Sequence, residues 1–181
     1  MTIFVSGGAK SGKSSLAQDL TVALINGGTH YYVATMIPVD DEDRERIRLH
    51  LLDRAGMGFE TMECGRNILS CLERGEKSAA YLVDSTTALL QNAMFPPEKG
   101  YAMDLEEAAR CARDLETFAR TVENAVIVSD YIYEDAQRYD PGTEHYRKAL
   151  ADADRRLARA CDTVLEVNAG QVIVHKGGLP V

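Results

Sequence analysis

The chain has 181 residues, 45% apolar and 27% charged, with 14 glycines and five prolines, a composition that predicts one globular domain over residues 1–181 and excludes disorder and collagen-like structure. Its formal charge of −8 argues against binding nucleic acid or anionic membrane through bulk electrostatics, and no apolar run approaches the roughly 20 residues of a membrane span. The four cysteines show neither C-x-x-C spacing nor paired histidines, which disfavours a zinc ribbon or a redox dithiol and fits a reducing compartment.

Thr2 to Ser6 is a β-branched and aromatic run stopped by Gly7-Gly8, a buried first strand feeding a tight loop. The start MTIFVSGG has no signal-peptide n-region or h-region, so a cytoplasmic protein is expected. Ser14 to Ile25 carries Leu16, Leu20, Ala23 and Leu24 at helical spacing and stops at Asn26-Gly27-Gly28. His30 to Thr35 predicts a second strand. Asp40 to Arg54, acidic first and basic later, predicts a helix that complements its own dipole.

Ala79 to Val83 is a third apolar run, ending in Asp84 and followed by a helix that Pro96-Pro97 must stop. Asp104 with Glu107 resembles a capping box opening a helix to about Arg120. Ala125 to Ser129 predicts a fourth strand and Thr143 to Cys161 a long polar helix. Thr163 to Val167 and Gln171 to His175, joined by Asn168-Ala169-Gly170, predict a closing hairpin. Strands alternating with helices imply a mostly parallel sheet covered on both faces.

Gly7, Gly8, Ala9, Lys10, Ser11, Gly12, Lys13 and Ser14 fit G-x-x-x-x-G-K-[ST] in full, between a predicted strand and a predicted helix as that motif requires. Small residues let backbone N–H groups wrap a phosphate, and the helix N-terminus adds partial positive charge. Lys13 then reaches the β- and γ-phosphates and the Ser14 hydroxyl ligates Mg²⁺. Asp84, at the carboxyl end of a strand, is the candidate second Mg²⁺ partner; its alternative is to cap the helix beginning at Ser85-Thr86. The substrate expected is GTP or ATP. There is no N-K-x-D or T-K-x-D guanine-reading tetrapeptide and no L-S-G-G-Q stretch, which favours a kinase or nucleotidyl transferase over a switch GTPase or a transporter ATPase.

On the charged helix, Asp43, Ile47, His50 and Arg54 share a face and Arg46 lies one turn before the imidazole. A neutral imidazole is a usable nucleophile toward phosphorus, and neighbouring guanidinium groups hold phosphate oxygens. A histidine on a solvated helix with no special role is the competing reading. Tyr131, Tyr133 and Tyr139 with Asp130, Glu134 and Asp135 either line an acceptor pocket or pack under the following helix. His30 reads as strand-edge packing, His145 and His175 as solvent-facing, and Arg147, Arg155, Arg156 and Arg159 as a solvated face.

GGAKSGKS, YYVAT, DDEDRERIRLH, FETMEC, LVDSTTALLQN, LARACD and VNAGQVIVHKG stand in an order and spacing that resembles the bifunctional adenosylcobinamide kinase and adenosylcobinamide-phosphate guanylyltransferase family of cobalamin biosynthesis. The likeness spans nearly the whole chain, and R-I-x-x-H followed by aromatic-x-T-x-E is its more specific part. It implies a RecA-like, three-layer α/β P-loop fold whose mostly parallel sheet ends in an antiparallel hairpin. The implied chemistry is phosphorylation of the aminopropanol hydroxyl of adenosylcobinamide, then transfer of GMP from GTP to that phosphate through a guanylylated histidine. By resemblance His50 is that histidine, Ala34 and Thr35 help hold the nucleotide, Glu63 lies in the guanine-nucleotide region, and Asp84 replaces the family's usual glutamate. Leu49 replaces a second histidine found in some members, and Ser129-Asp130-Tyr131-Ile132-Tyr133 replaces an Asn-Glu-Val-Gly-x-Gly stretch. The partners implied are a nucleotide, a corrinoid and further copies of the chain in a trimer. The alternatives are a P-loop kinase of another small metabolite without guanylyltransferase activity, and a nucleotide-sensing regulatory oligomer.

Overall fold

A computed structural model describes residues 1–25, 27–133 and 136–179. Within them lie strands β1 (Thr2–Gly7), β2 (His30–Ala34), β3 (Phe59–Glu63), β4 (Ala80–Asp84), β5 (Asn124–Asp130), β6 (Thr163–Asn168) and β7 (Gln171–Lys176). The helices are α1 (Lys13–Leu24), α2 (Asp41–Asp53), α3 (Ser70–Arg74), α4 (Thr86–Met94), α5 (Leu105–Thr121) and α6 (Pro141–Ala160). All seven strands form one sheet in the order β3-β2-β4-β5-β1-β6-β7, parallel except for the antiparallel β6–β7 pair. Ala169 and Gly170 both take positive φ at the β6–β7 turn, the twist a two-residue hairpin loop needs.

The inner strands are apolar at nearly every position because both faces of the sheet are covered. Phe4, Tyr31, Val33, Tyr81, Val83 and Ile127 point to one side, where α4, α5 and α6 supply Leu90, Leu115, Phe118, Leu150 and Leu157. Ile3, Val5, Tyr32, Leu82, Val126 and Val128 point to the other, against Ala17 and Leu20 of α1. The result is the expected three-layer arrangement.

Several boundaries differ from the sequence expectation. β3 and α3 were not foreseen: in β3 only Met62 is buried, so an edge strand of this kind carries no apolar run. The helix expected from Thr143 starts at Pro141, because the Asp140 carboxylate accepts from the Gly142 and Thr143 N–H groups and Pro141 fits the first turn. Asp104 does cap α5, accepting from Glu106 and Glu107 N–H, but Glu107 bonds Arg110 instead of completing the box, since the Asp104 N–H is already given to Met94 O. Asn26, Glu134 and Asp135, named in the sequence reading, lie outside the described residues.

Candidate active site

The sheet brings four strand ends to one rim: Gly7 of β1, Ala34 of β2, Asp84 of β4 and Asp130 of β5. Gly7 leads into the loop Gly8–Gly12, in which Lys10 and Gly12 adopt left-handed φ values of 58° and 95°. A Cβ on Gly7 would stand 2.6 Å from Val167 O and 2.8 Å from Ser11 Oγ, so β1 must leave the sheet through a glycine. The Ser11 Oγ is buried without a partner among the described residues. Lys13, only 6% exposed, turns back over the loop: its Nζ donates to Gly8 O at 3.1 Å and pairs with Asp130 Oδ1 at 2.5 Å. Ser14 follows on the first turn of α1, half-buried.

Asp84 ends β4, and Ser85, not Asp84, caps α4: the Ser85 Oγ accepts from Ala88 N. The Asp84 carboxylate is thereby left for the rim, where its Oδ2 accepts from Tyr32 OH at 3.0 Å. Burial pushes its carboxyl above the usual range; the Tyr32 hydrogen bond and the charges of His50 and Lys13 oppose this, while Asp130 adds to it. Tyr32 is itself held protonated by burial and by the Asp84 charge.

Beside the loop opens a cavity of about 530 Å³, lined among others by Ala34, Thr35, His50, Glu63 and Asp84. Five residues named from the sequence thus share one chamber, while Gly7–Ser14 are not among its lining residues. Asp84 links the two regions electrostatically, since the charges of both His50 and Lys13 act on its carboxyl. The Thr35 hydroxyl is internally engaged, donating to Ser85 O at 2.8 Å and accepting from Ser85 N at 2.7 Å. Asn92 Nδ2 ties the Thr35 and Gly65 carbonyls at 2.8 and 2.9 Å.

His50 is delivered by α2, whose first turn holds Asp41, Glu42 and Asp43 and whose Asp40 cap accepts from Asp43 N at 2.8 Å. No residue of α2 itself is buried. What fastens it is Arg54 at its C-cap, 7% exposed, with its guanidinium 3.8 Å over the Tyr32 ring and bonds to His50 O (2.9 Å) and Thr61 Oγ1 (3.2 Å). The guanidinium groups in the cavity are Arg44 and Arg54. Arg46, expected beside the imidazole, instead pairs with Glu42 at 2.5 Å, the neighbour four residues back on the solvent side.

Other sequence candidates fall elsewhere. Tyr133 packs against the core and donates to Asp154 Oδ2 at 2.8 Å, and Tyr131 OH donates to Glu166 at 3.2 Å. Arg147 is not part of a solvated face: buried, it donates to the Ile132 and Gln137 carbonyls, which the preceding loop leaves without ladder partners. Arg155, Arg156 and Arg159 do lie along the outer side of α6. His30 packs edge-on to Phe59, His145 is exposed, and His175 bonds Glu166 at 2.8 Å. Asp130, named from the sequence only within the candidate acceptor segment, is the partner of Lys13, a role not foreseen although it ends an apolar strand just as Asp84 does.

A glycine-rich loop between β1 and α1, under a parallel sheet with acids at neighbouring strand ends, defines a P-loop nucleotide-binding protein. Solved structures agree on the RecA-like fold: one solved ATPase domain matches over 97% of this chain and 76% of its own at TM-score 0.53 and 12% identity, and the RadB recombinase over 99% and 82% at 0.51 and 17%. The sequence model described as cobinamide kinase / cobinamide phosphate guanyltransferase matches residues 3–174, and the chain belongs to that family. It is similar to the bifunctional adenosylcobalamin biosynthesis protein CobU of Salmonella typhimurium, 28% identical over 180 residues that cover 94% of this chain and 97% of the relative. The chain is therefore a transferase of cobalamin biosynthesis.

Proposed function

We propose that this chain phosphorylates the aminopropanol hydroxyl of adenosylcobinamide and then transfers GMP from GTP to the new phosphate through a guanylylated His50. The observation that carries this reading is the cavity that His50 of α2 and Asp84 of β4 both line, with Asp84 also within electrostatic reach of the loop lysine. In the first step the loop amides and Lys13 offset charge on the moving γ-phosphoryl group. In the second, His50 attacks the α-phosphorus of GTP, a histidine–phosphorus bond forms, and pyrophosphate leaves. The corrinoid phosphate then displaces the imidazole and takes the GMP. Ala34, Thr35 and Glu63 are the remaining nucleotide-site residues of this reading, with Thr35 acting through its hold on Ser85.

A divalent cation fits the rim. The Asp84 carboxyl is buried with a second carboxylate near it, a state that a bound cation relieves. Mg²⁺ takes one or two protein ligands and completes its shell with phosphate and water, so Ser14 and Asp84 suffice for it. Ser14 Oγ and Asp84 would hold the ion, and its contribution when bound would be to neutralise phosphate charge.

One domain carries both steps in this reading. A cytoplasmic location is supported by four free, buried cysteines, and a homo-oligomer by Leu49 and Leu52, which α2 leaves exposed. Among the described residues no helix is long and apolar enough to cross a membrane.

Incubation with GTP labelled on the α-phosphate tests the scheme. The wild-type chain takes up acid-labile label, the label passes to adenosylcobinamide phosphate, and His50→Ala loses it while still phosphorylating adenosylcobinamide. Undiminished label in His50→Ala removes His50 as the nucleophile, and no label on the wild type removes the guanylyl step.

A further inference from the structure

Asp130 has the position of a reacting group, and the two steps above leave it without a task. It is the register partner of Gly7, the residue from which the phosphate loop departs, and lies on the strand between β4 and β1. Its backbone is fixed, with its N–H given to Thr87 Oγ1 at 3.0 Å. Its carboxylate is one-third exposed, and Lys13 Nζ is the partner found for it among the described residues. Among the other carboxylates near this end of the sheet, Glu63 closes the edge strand β3, three strands from β5, and lines the cavity with His50, and the rest named here are engaged. Asp84 takes the Tyr32 hydroxyl, Asp154 takes Ser129 and Tyr133, and Glu166 takes Tyr131 and His175.

Resting on the kinase step read above, we propose that Asp130 takes the proton of the acceptor hydroxyl during phosphoryl transfer and is a catalytic residue of that step. An ammonium has three donors, and in Lys13 one serves Gly8 O, one serves Asp130, and the third remains for a phosphate oxygen. A carboxylate that touches this ammonium lies beside the γ-phosphate the ammonium holds, on the side open to solvent, from which an acceptor must come. As the hydroxyl oxygen bonds to the γ-phosphorus, the bond from that phosphorus to the β,γ-bridging oxygen breaks. The nucleoside diphosphate leaves with that electron pair, the hydroxyl proton passes to an Asp130 oxygen, and solvent recovers it when product leaves. Three further groups act on Asp130 or feel it: Asp84 from β4, and Tyr146 and Asp154 from α6.

The same geometry makes Asp130 a competitor of the nucleotide, since it occupies Lys13 and repels a polyphosphate. Loss of its charge therefore has two opposite effects, which a merely structural residue would not produce. In Asp130→Asn, turnover of adenosylcobinamide with a saturating triphosphate and Mg²⁺ falls about 10²–10⁴-fold, while the nucleotide is bound several-fold more tightly by calorimetry. Asp130→Glu recovers part of the turnover. Label from α-labelled GTP still reaches His50 in Asp130→Asn, which also reports that the variant is folded. Unchanged turnover with tighter binding reduces Asp130 to a holder of Lys13 and overturns the proposal, and so does a parallel loss of turnover and affinity. A wild-type chain that transfers no phosphoryl group to adenosylcobinamide overturns the kinase reading and this role with it, whereas an active wild type matched by Asp130→Asn overturns this role alone.

Discussion

Replacing Arg54 by alanine separates the two halves of the chemistry, because α2 carries His50 and yet buries none of its own residues. Arg54 holds that helix to the sheet through its stacking on Tyr32, 3.8 Å from the ring centroid, and through a charged hydrogen bond to Thr61 Oγ1 of β3 at 3.2 Å. A partly desolvated cation–π contact contributes about 1–2 kcal/mol and a hydrogen bond from a charged donor about 1.5–3 kcal/mol; since the two share one side chain, about 2–4 kcal/mol is the combined local loss. At about 1.4 kcal/mol per factor of ten, the seated form of α2 declines by one and a half to nearly three orders of magnitude relative to the detached one. Guanylyl labelling of Arg54→Ala therefore slows by about 10²-fold, while phosphorylation of adenosylcobinamide, which runs through Lys13, changes less than about threefold. Hydrogen exchange of residues 41–53 accelerates in parallel. Arg54→Lys restores little, because an ammonium lacks the flat fork that both stacks and donates. Labelling at the wild-type rate, with α2 exchanging as in the wild type, would refute the view that Arg54 seats the helix.

Asp154 gives a pH signature. Burial raises its carboxyl to about 6 from 3.8, against the hydrogen bonds of Ser129 and Tyr133. The native chain thus keeps a proton that the unfolded chain gives up above about pH 4. This group's share of stability is greatest below that value, is lost as pH rises to about 6, and is level beyond, a span of about 3 kcal/mol at most. Urea titrations of Asp154→Asn and wild type at pH 4.5 and 7.5 should show the difference shifting toward the variant by up to about 2 kcal/mol at the higher pH; a constant difference refutes the assignment. Gly7→Ala puts a Cβ 2.6 Å from Val167 O and 2.8 Å from Ser11 Oγ, so loss of nucleotide binding and a lower melting temperature are expected, measured by calorimetry and circular dichroism. Binding unchanged from the wild type would show that β1 and β6 can separate at no cost.

The phosphate loop, the four central strands and the closing hairpin were legible because each is local: a run of β-branched residues, a glycine where the chain turns, a lysine one residue later. The chamber was legible only in parts. Ala34, Thr35, His50, Glu63 and Asp84 came largely through family likeness, and nothing in the chain order signals that the five meet, because their meeting is made by the order of β3, β2 and β4 across the sheet. Asp130 was hidden for the opposite reason. The rule applied to Asp84, an acid closing an apolar strand, holds equally for it, but the tyrosines after it drew the segment toward an acceptor loop. Arg46 and Arg147 were misplaced because helical spacing gives the face of a residue without saying which face a loop or an ion-pair partner will claim.

The clasp between Thr35 and Ser85 locks the ends of β2 and β4 together past the last rung of their ladder, and Asn92 bolts the same corner to Gly65. Opposite stands a helix that Arg54 moors to the sheet through Tyr32 and Thr61. The chamber thus has one wall braced across two strand ends and another held at its C-cap, so on the reading proposed above a guest larger than a nucleotide would be accommodated by displacing α2 before the strand ends.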